Sequence, residues 1–206
     1  EEAAGFRYRS YVAHPEQWSA MIKVPGERSE GVWRALLPAF GNDSDKHVLG
    51  DEWIQDRLAE CFPYGPPYDL LHRNLYSVHQ RVAESFAKGR VALAGDAAHV
   101  NNPLGGMGMN SGIHDARSLA DHLVPVLEGE DAALLERYDR RRRTIALEEV
   151  QRLYAQNYAR HRETRADKRE VIWQALQETV SDPIKHRDYL LDAAMIRSRE
   201  REQTIE

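Results

Sequence analysis

One cysteine, Cys61, is all that the 206 residues contain, so no disulfide can close within the chain and a reducing compartment suits it. Apolar runs of bilayer-spanning length and a signal-peptide pattern are both missing, so a cytoplasmic protein without a membrane role is expected. Excess positive charge is missing too: the formal net charge of −5 gives no reason to expect nucleic acid as a partner. The nine histidines offer no i, i+4 pair with a third ligand; His114 and His122 stand eight apart, so no metal site is expected. No Lys-Ser or Lys-Thr follows a glycine loop, which excludes a Walker loop. Ser111 takes the place that a third glycine would need after Gly106 and Gly108, which argues against a dinucleotide fingerprint. No nucleophile or triad is evident. Cys61, in a helical Leu58–Phe62 context, reads as a buried structural thiol.

The chain does have apolar material for a core, at 42% hydrophobic and 30% charged, and a length that fits one or two domains. Its most informative stretch is Gly89 to Gly112, GRVALAGDAAHVNNPLGGMGMNSG. Val91 to Ala94 read as a short strand of small apolar residues, suited to burial on both faces. Gly95 lets the chain turn, and Asp96 falls at the strand end, where a carboxylate can only accept hydrogen bonds and a sugar-alcohol hydroxyl is a fitting donor. Gly105, Gly106 and Gly108 clear side chains from the loop, so that a flat ring can approach the backbone. Ile113, Ala116, Leu119, Ala120, Leu123 and Leu127 then keep helical spacing, which predicts a helix from Met109 or Asn110 with its positive end toward the glycines.

Asp96, Ala97, Ala98, His99, Pro103, the glycines and Asn110 together resemble the second FAD-contacting motif of the aromatic-hydroxylase class of flavin monooxygenases, the para-hydroxybenzoate hydroxylase-like fold. That resemblance implies roles. Asp96 would bind the ribityl chain of FAD. Pro103 would lie beside the flavin ring with its carbonyl near the substrate's ring hydroxyl. Gly105, Gly106, Met107, Gly108, Met109 and Asn110 would present backbone N–H groups to the pyrimidine edge of the ring, where a helix N-terminus favours the anionic reduced state. Met107 departs from the glutamine common at that position. His99 is expected to make a structural hydrogen bond beside the flavin, and His79 to relay a proton from a phenol.

The implied activity is hydroxylation of a phenol-like aromatic substrate, with NADH or NADPH as reductant, dioxygen as oxidant and a flavin hydroperoxide as the transferring species. Two alternatives stay open: a halogenase or reductase of the same fold, and a non-catalytic truncated fragment acting as an interaction module. The family's glycine-rich pyrophosphate fingerprint does not occur here, and the chain opens at Glu1-Glu2-Ala3-Ala4 without Met. The expectation is therefore the C-terminal part of a longer enzyme, with Val91–Ala94 pairing in parallel with a missing N-terminal half. By itself such a piece would bind FAD weakly or not at all.

The fold class expected is α/β, an α+β fragment in three zones. Residues 1–84 form a middle, substrate-domain antiparallel sheet with one helix, residues 85–130 the C-terminal segment of an FAD-binding domain, and residues 131–206 a helical region. Within the first zone, strands are predicted at Tyr8–Val12, Ser19–Val24 and Gly31–Leu37, divided by turns at His14-Pro15 and Pro25-Gly26. A polar loop at Gly41–Lys46, a helix at Asp51–Phe62 stopped by Pro63, Gly65, Pro66 and Pro67, and a strand at Leu70–Val78 complete it. In the third zone helices are predicted at Ala132–Arg160, Ala166–Val180 and Pro183–Arg199, with Ser181 or Asp182 capping the last. The basic run Arg140–Arg143 reads as a solvated face paired with Glu136, Glu148 and Glu149. Trp173, Leu176, Tyr189, Leu190, Leu191, Ala194 and Met195 read as packing. The tail has two roles open to it: covering the FAD domain, or a homodimer contact.

Overall fold

In a computed structural model, residues 7–14, 18–26, 31–39, 43–63, 67–104 and 106–206 are described. Gly105, Pro15, Gly65, Pro66, Gly41 and the Glu1–Ala4 opening lie outside the described residues. The chain divides into two compact units, one of residues 1–77 with 159–170 and one of residues 78–158 with 171–206.

The first unit holds an antiparallel sheet of β1 (Arg9–Val12), β2 (Ser19–Val24) and β3 (Val32–Leu36), in that order. Alternating residues fix the register, with Tyr11 opposite Ala20 and Ile22 opposite Arg34. Gly31 takes a φ of +73° and its Cα faces the Val24 carbonyl so closely that a Cβ would lie 2.8 Å from that oxygen, so glycine is required where the chain enters β3. α1 (Asp45–Val48) replaces the end of the loop expected at Gly41–Lys46, because the Ser44 side chain caps it by accepting from the His47 N–H. α2 (Asp51–Cys61) follows. The buried apolar residues of this unit are Trp18, Ala20, Val48, Leu58 and Phe62. Cys61 is half-buried at the last position of α2, not enclosed as expected.

The strand expected at Leu70–Val78 does not form; residues 67–80 carry no regular structure and residues 71–80 are exposed. Side-chain hydrogen bonds tie the start of this segment and Arg73 to α2 and the turn before it. Gln55 Nε2 donates to the Tyr68 carbonyl at 2.8 Å, and Gln55 Oε1 accepts from the Tyr68 N–H at 2.9 Å. Arg73 Nη1 reaches the Leu49 carbonyl at 3.0 Å and pairs with Asp51.

The second unit is mostly helical. Its strands are two-residue pieces in antiparallel pairs: β4 (Arg81–Val82) with β7 (His99–Val100), and β5 (Ala87–Lys88) with β6 (Val91–Ala92). The strand expected over Val91–Ala94 is thus shorter, antiparallel and open on one side, with Val91 63% exposed. Gly89 explains the change: at φ +60° it begins a two-residue hairpin turn that folds β6 back on β5. After a 3₁₀ turn at Gly95–Ala97 come α3 (Gly108–Leu127), α4 (Ala133–Ile145), a π-helical segment (Ala146–Val150), α5 (Gln151–Arg162), α6 (Ala166–Ser181), α7 (Pro183–Ala193) and α8 (Ile196–Thr204), of which the end of α5 and the start of α6, residues 159–170, belong to the first unit. The single helix expected over Ala132–Arg160 is therefore interrupted by one π turn. The one expected over Pro183–Arg199 is broken where Met195, buried, takes φ +60°. Asp182 caps α7 by accepting from the Ile184 and Lys185 N–H groups, with Pro183 at its first position.

The apolar face of α3 is divided: Leu119 packs against the cluster of Phe86, Ala98, Tyr138 and Ala146, while its two ends face outward. Ile113 and Leu127 are 57% and 75% exposed, whereas Ser111, Asp115, Ser118 and His122 are buried. Buried polar groups must find partners, and here the partners decide the helix's rotation. Trp173, Tyr189 and Leu190, expected as packing, are about half exposed, while Met195 is fully enclosed.

Candidate functional site

Two arms meet the N-terminal end of α3. The first is the turn Gly95–Asp96. Gly95 sits at φ +61°, and it lies so near α3 that a Cβ on Gly112 would stand 3.3 Å from the Gly95 Cα. Two glycines facing each other let turn and helix touch through backbone. Asp96 is exposed, and no hydrogen bond or ion pair occupies its carboxylate among the described residues.

The second arm is the loop Asn102–Met107. Asn102 Oδ1 accepts from the Leu104 N–H at 3.0 Å and its amide reaches Gln80 Oε1 at 3.3 Å, which holds the loop on the segment after His79. The Gly106 N–H donates to the Pro103 carbonyl at 3.2 Å, a tight turn that Gly106 permits at φ +66°. Met107 is buried among Ile145, Val150, Tyr154 and Met195, so its side chain points into the unit. Gly108, Met109 and Asn110 form the first turn of α3, whose N–H groups have no intrahelical acceptor. Among the described residues no side chain caps this end and no acidic residue sits in the turn, so its partial positive charge is left unanswered there. Asn110 Nδ2 donates to the Gly106 carbonyl at 3.1 Å, tying loop to helix.

Beneath both arms lies a charged cluster. Asp115, on the inner face of α3, is fully buried. Its Oδ2 accepts from the Gly95 N–H at 3.0 Å and lies 2.8 Å from His99 Nε2; its Oδ1 accepts from Arg142 Nε at 2.7 Å. Arg142, also fully buried, donates through Nη1 to Glu202 Oε2 of α8 at 2.8 Å. His99 Nδ1 lies 3.2 Å from the Asn101 amide, whose Oδ1 accepts from Gln151 at 2.8 Å. A His99 tautomer with its proton on Nε2 satisfies both neighbours. Burial pushes the Asp115 carboxyl up, but the hydrogen bond from His99 and the Arg142 charge outweigh it and hold the group below the ordinary carboxylate value. Tyr138, fully buried, donates to the Leu93 carbonyl at 2.6 Å and fastens the β6 end to α4; burial first, and then the Asp115 charge, raises its phenol above the ordinary value.

Residue types in the Gly95–Asn110 stretch were legible from the sequence; this supporting cluster was not. The run Arg140–Arg143 is not a solvated face as a whole, because Arg142 is wholly enclosed. Arg140 does approach Glu136, at 4.0 Å, but Glu148 and Glu149 pair with Arg201. The signal that could have found Arg142 is spacing: with Leu135, Tyr138 and Ile145 it forms the buried stripe of α4. His99 does make a structural hydrogen bond, to Asp115. His79 is exposed, in irregular chain one residue before Gln80. Among the described residues no group of three or more His, Cys, Asp or Glu is arranged to hold a metal ion, and no helix is long and apolar enough to cross a membrane.

A family model described as an FAD binding domain matches residues 4–153, most of the chain. The chain belongs to the FAD-binding family of class A flavoprotein monooxygenases. Para-nitrophenol 4-monooxygenase of Pseudomonas sp. (strain WBC-3) is 32% identical over 203 residues, covering 95% of this chain and 48% of that enzyme. The 3-(3-hydroxy-phenyl)propionate/3-hydroxycinnamic acid hydroxylase of Mycolicibacterium smegmatis (strain ATCC 700084 / mc(2)155) is 36% identical over 135 residues, 65% of this chain and 23% of that one. Among solved structures, p-nitrophenol 4-monooxygenase PnpA from Pseudomonas putida DLL-E4 superposes with a TM-score of 0.83 at 30% identity, over 93% of this chain and 48% of that chain. The family chain described here thus spans about half the length of these nitrophenol monooxygenases.

Proposed function

We propose that this chain forms part of an FAD-dependent monooxygenase that hydroxylates a phenol-like aromatic ring. The observation that carries this reading is the pairing of a free, exposed carboxylate at Asp96 with an uncapped, acid-free helix start at Gly108–Asn110. The two fit adjoining parts of one ligand: a polyol that donates hydrogen bonds, and a ring edge that accumulates negative charge. The relatives named above, para-nitrophenol and hydroxyphenylpropionate hydroxylases, support an aromatic substrate.

In this reading Asp96 accepts from the ribityl hydroxyls of FAD, and the N–H groups of Gly106 through Asn110 face the pyrimidine edge of its ring. When bound, the flavin supplies electron transfer and oxygen activation. The chain's own residues bind and orient. Pro103, its carbonyl turned into the Gly106 N–H, sets the loop beside the ring, and a second lone pair on that oxygen remains for a substrate hydroxyl. Gly106 and Gly108 keep side chains out of the ring's plane. His79 is assigned as a proton relay for the phenol, which its exposure permits. NADH or NADPH as reductant, a cytoplasmic location, a separate glycine-rich half contacting the pyrophosphate, and homodimer formation through the helical region belong to the same proposal, as does its division at residues 84 and 130.

The test is flavin binding and turnover. The polypeptide that contains this chain together with a glycine-rich half should be yellow and should oxidise NAD(P)H faster when a phenol is added. Asp96→Ala should release FAD. A colourless product, or full FAD retention by D96A, would refute the assignment.

A further inference from the structure

Chains of contact lead from the two ends of the last helix, α8, to both arms of the site. Near its C-terminus Glu202 holds Arg142, Arg142 holds Asp115, and Asp115 Oδ2 holds the Gly95 N–H at 3.0 Å and faces His99 at 2.8 Å. Just before its N-terminus Met195, at φ +60°, lies in the same apolar cluster as Met107 of the second arm. The helix is itself clamped in place. Arg201 pairs with Glu148 and Glu149 of the π segment, while Arg140 and Arg141 donate to the carbonyls of Glu206 and Ile205 at 2.9 and 2.7 Å. A left-handed methionine is unfavourable by itself and persists when surrounding packing dictates it. A buried arginine shared by two carboxylates likewise holds position better than it adds stability.

We propose that α8 is a positioning element of the candidate site, with Glu202 setting the Gly95–Asp96 turn through Arg142 and Asp115, and Met195 setting Met107. The meaning of this for cofactor binding rests on the reading given above. The physical step is competition for an oxygen. Without an acceptor at Glu202, Arg142 Nη1 turns toward Asp115, and Oδ2 is then shared between the guanidinium, the Gly95 N–H and His99. The turn loosens, and with it the carboxylate of Asp96.

Amide hydrogen exchange on the 206-residue chain reads this directly. Glu202→Met keeps the side chain's length and removes its acceptor. It should speed exchange at Gly95 about tenfold, as weakening one charge-assisted bond does, with amides in the middle of α4 unchanged. Glu202→Gln, which keeps an acceptor there, should restore protection. Arg197→Gln, which breaks only exposed pairs with Asp188 and Asp192, should leave Gly95 as in the parent. Should E202M not fold, Glu202→Asp makes the same test with a smaller change. At the other link, Met195→Ala should shift the Met107 methyl resonance and leave Gly95 alone. Unchanged exchange at Gly95, or acceleration spread evenly over the unit, overturns the proposal; so does a Met107 methyl blind to M195A. Flavin titration of the polypeptide that also carries a glycine-rich half separates the two ideas. If that polypeptide binds no flavin the proposed function fails, and the Gly95 exchange in the 206-residue chain still decides this inference.

Discussion

The two units are held together by opposite means. In the sheet unit the enclosed side chains among the described residues are, apart from Ser19, the apolar Trp18, Ala20, Val48, Leu58 and Phe62, and burial of apolar area supplies the stabilisation. In the helical unit the centre is Asp115, Arg142, His99, Ser111 and Glu202, with apolar clusters around Phe86 and Met107 to either side. An apolar core tolerates rearrangement among residues of similar volume. A buried ionic centre does not, because its charges must stay paired and hydrogen-bonded once they leave water. The contrast shows where accuracy is needed: the charged centre lies directly under the Gly95–Asp96 turn and the start of α3.

The largest effect expected from breaking this contrast is at Arg142. Arg142→Met leaves Asp115 and Glu202 enclosed without their cation, and should cost about 3–5 kcal/mol in urea unfolding of the helical unit. A smaller loss would mean that water reaches the cluster. Next comes the apolar counterpart: Leu58→Ala should cost about 3 kcal/mol and raise hydrogen exchange around α2, while protection at Gly95 stays as it was. Loss of Gly95 protection in L58A would show that the two cores are not independent.

A third, smaller effect is on pH dependence, and each unit carries one source of it. Burial first, and then the charges of Arg142 and Arg199, lowers the pKa of His114 in the helical unit; burial and Arg160 do the same to His161 in the sheet unit. The folded state therefore binds fewer protons than the unfolded one near pH 6.5, so this part of the stability is complete above that pH and is lost as pH falls through it toward the lowered values. His114→Gln should reduce the difference between stabilities measured at pH 7 and pH 5; an unchanged difference would remove His114 as a source. Asp115 acts in a lower window. Its depressed pKa means that its contribution persists down to about pH 4 and fades below, as the carboxylate takes up a proton. Smallest of all, Asp182→Ala should lower Tm slightly by removing the exposed cap of α7, less than L58A does; calorimetry of the two variants ranks them.

How much of this was legible in the sequence follows the same division. β2 runs from Ser19 to Val24 as alternation predicted, because half-buried strands advertise a period of two. α2 and the Asp182–Pro183 start of α7 were legible from composition and capping residues. Leu70–Val78 misled because its apolar residues suit a strand, while the Gln55 side chain bonds the Tyr68 backbone and leads the segment away from the sheet. Val91–Ala94 misled because a small-residue run does not announce the hairpin that Gly89 imposes. In α3 the apolar spacing gave the helix, but its most deeply buried positions are polar, Ser111, Asp115, Ser118 and His122, while Ile113 and Leu127 stay exposed.

Local chemistry written in the chain was enough to set the glycine-cleared loop, the acid at position 96, the helix that follows and the family they mark, because backbone freedom, capping and periodicity act over a few residues. Only the tertiary structure decided that Arg142 is enclosed, that Asp115 faces Gly95 and His99, and that α8 supplies the second carboxylate through Glu202. Those pairings join residues 16, 20, 27 and 60 positions apart, and a charge carries no mark in sequence of which distant charge will neutralise it once both leave water.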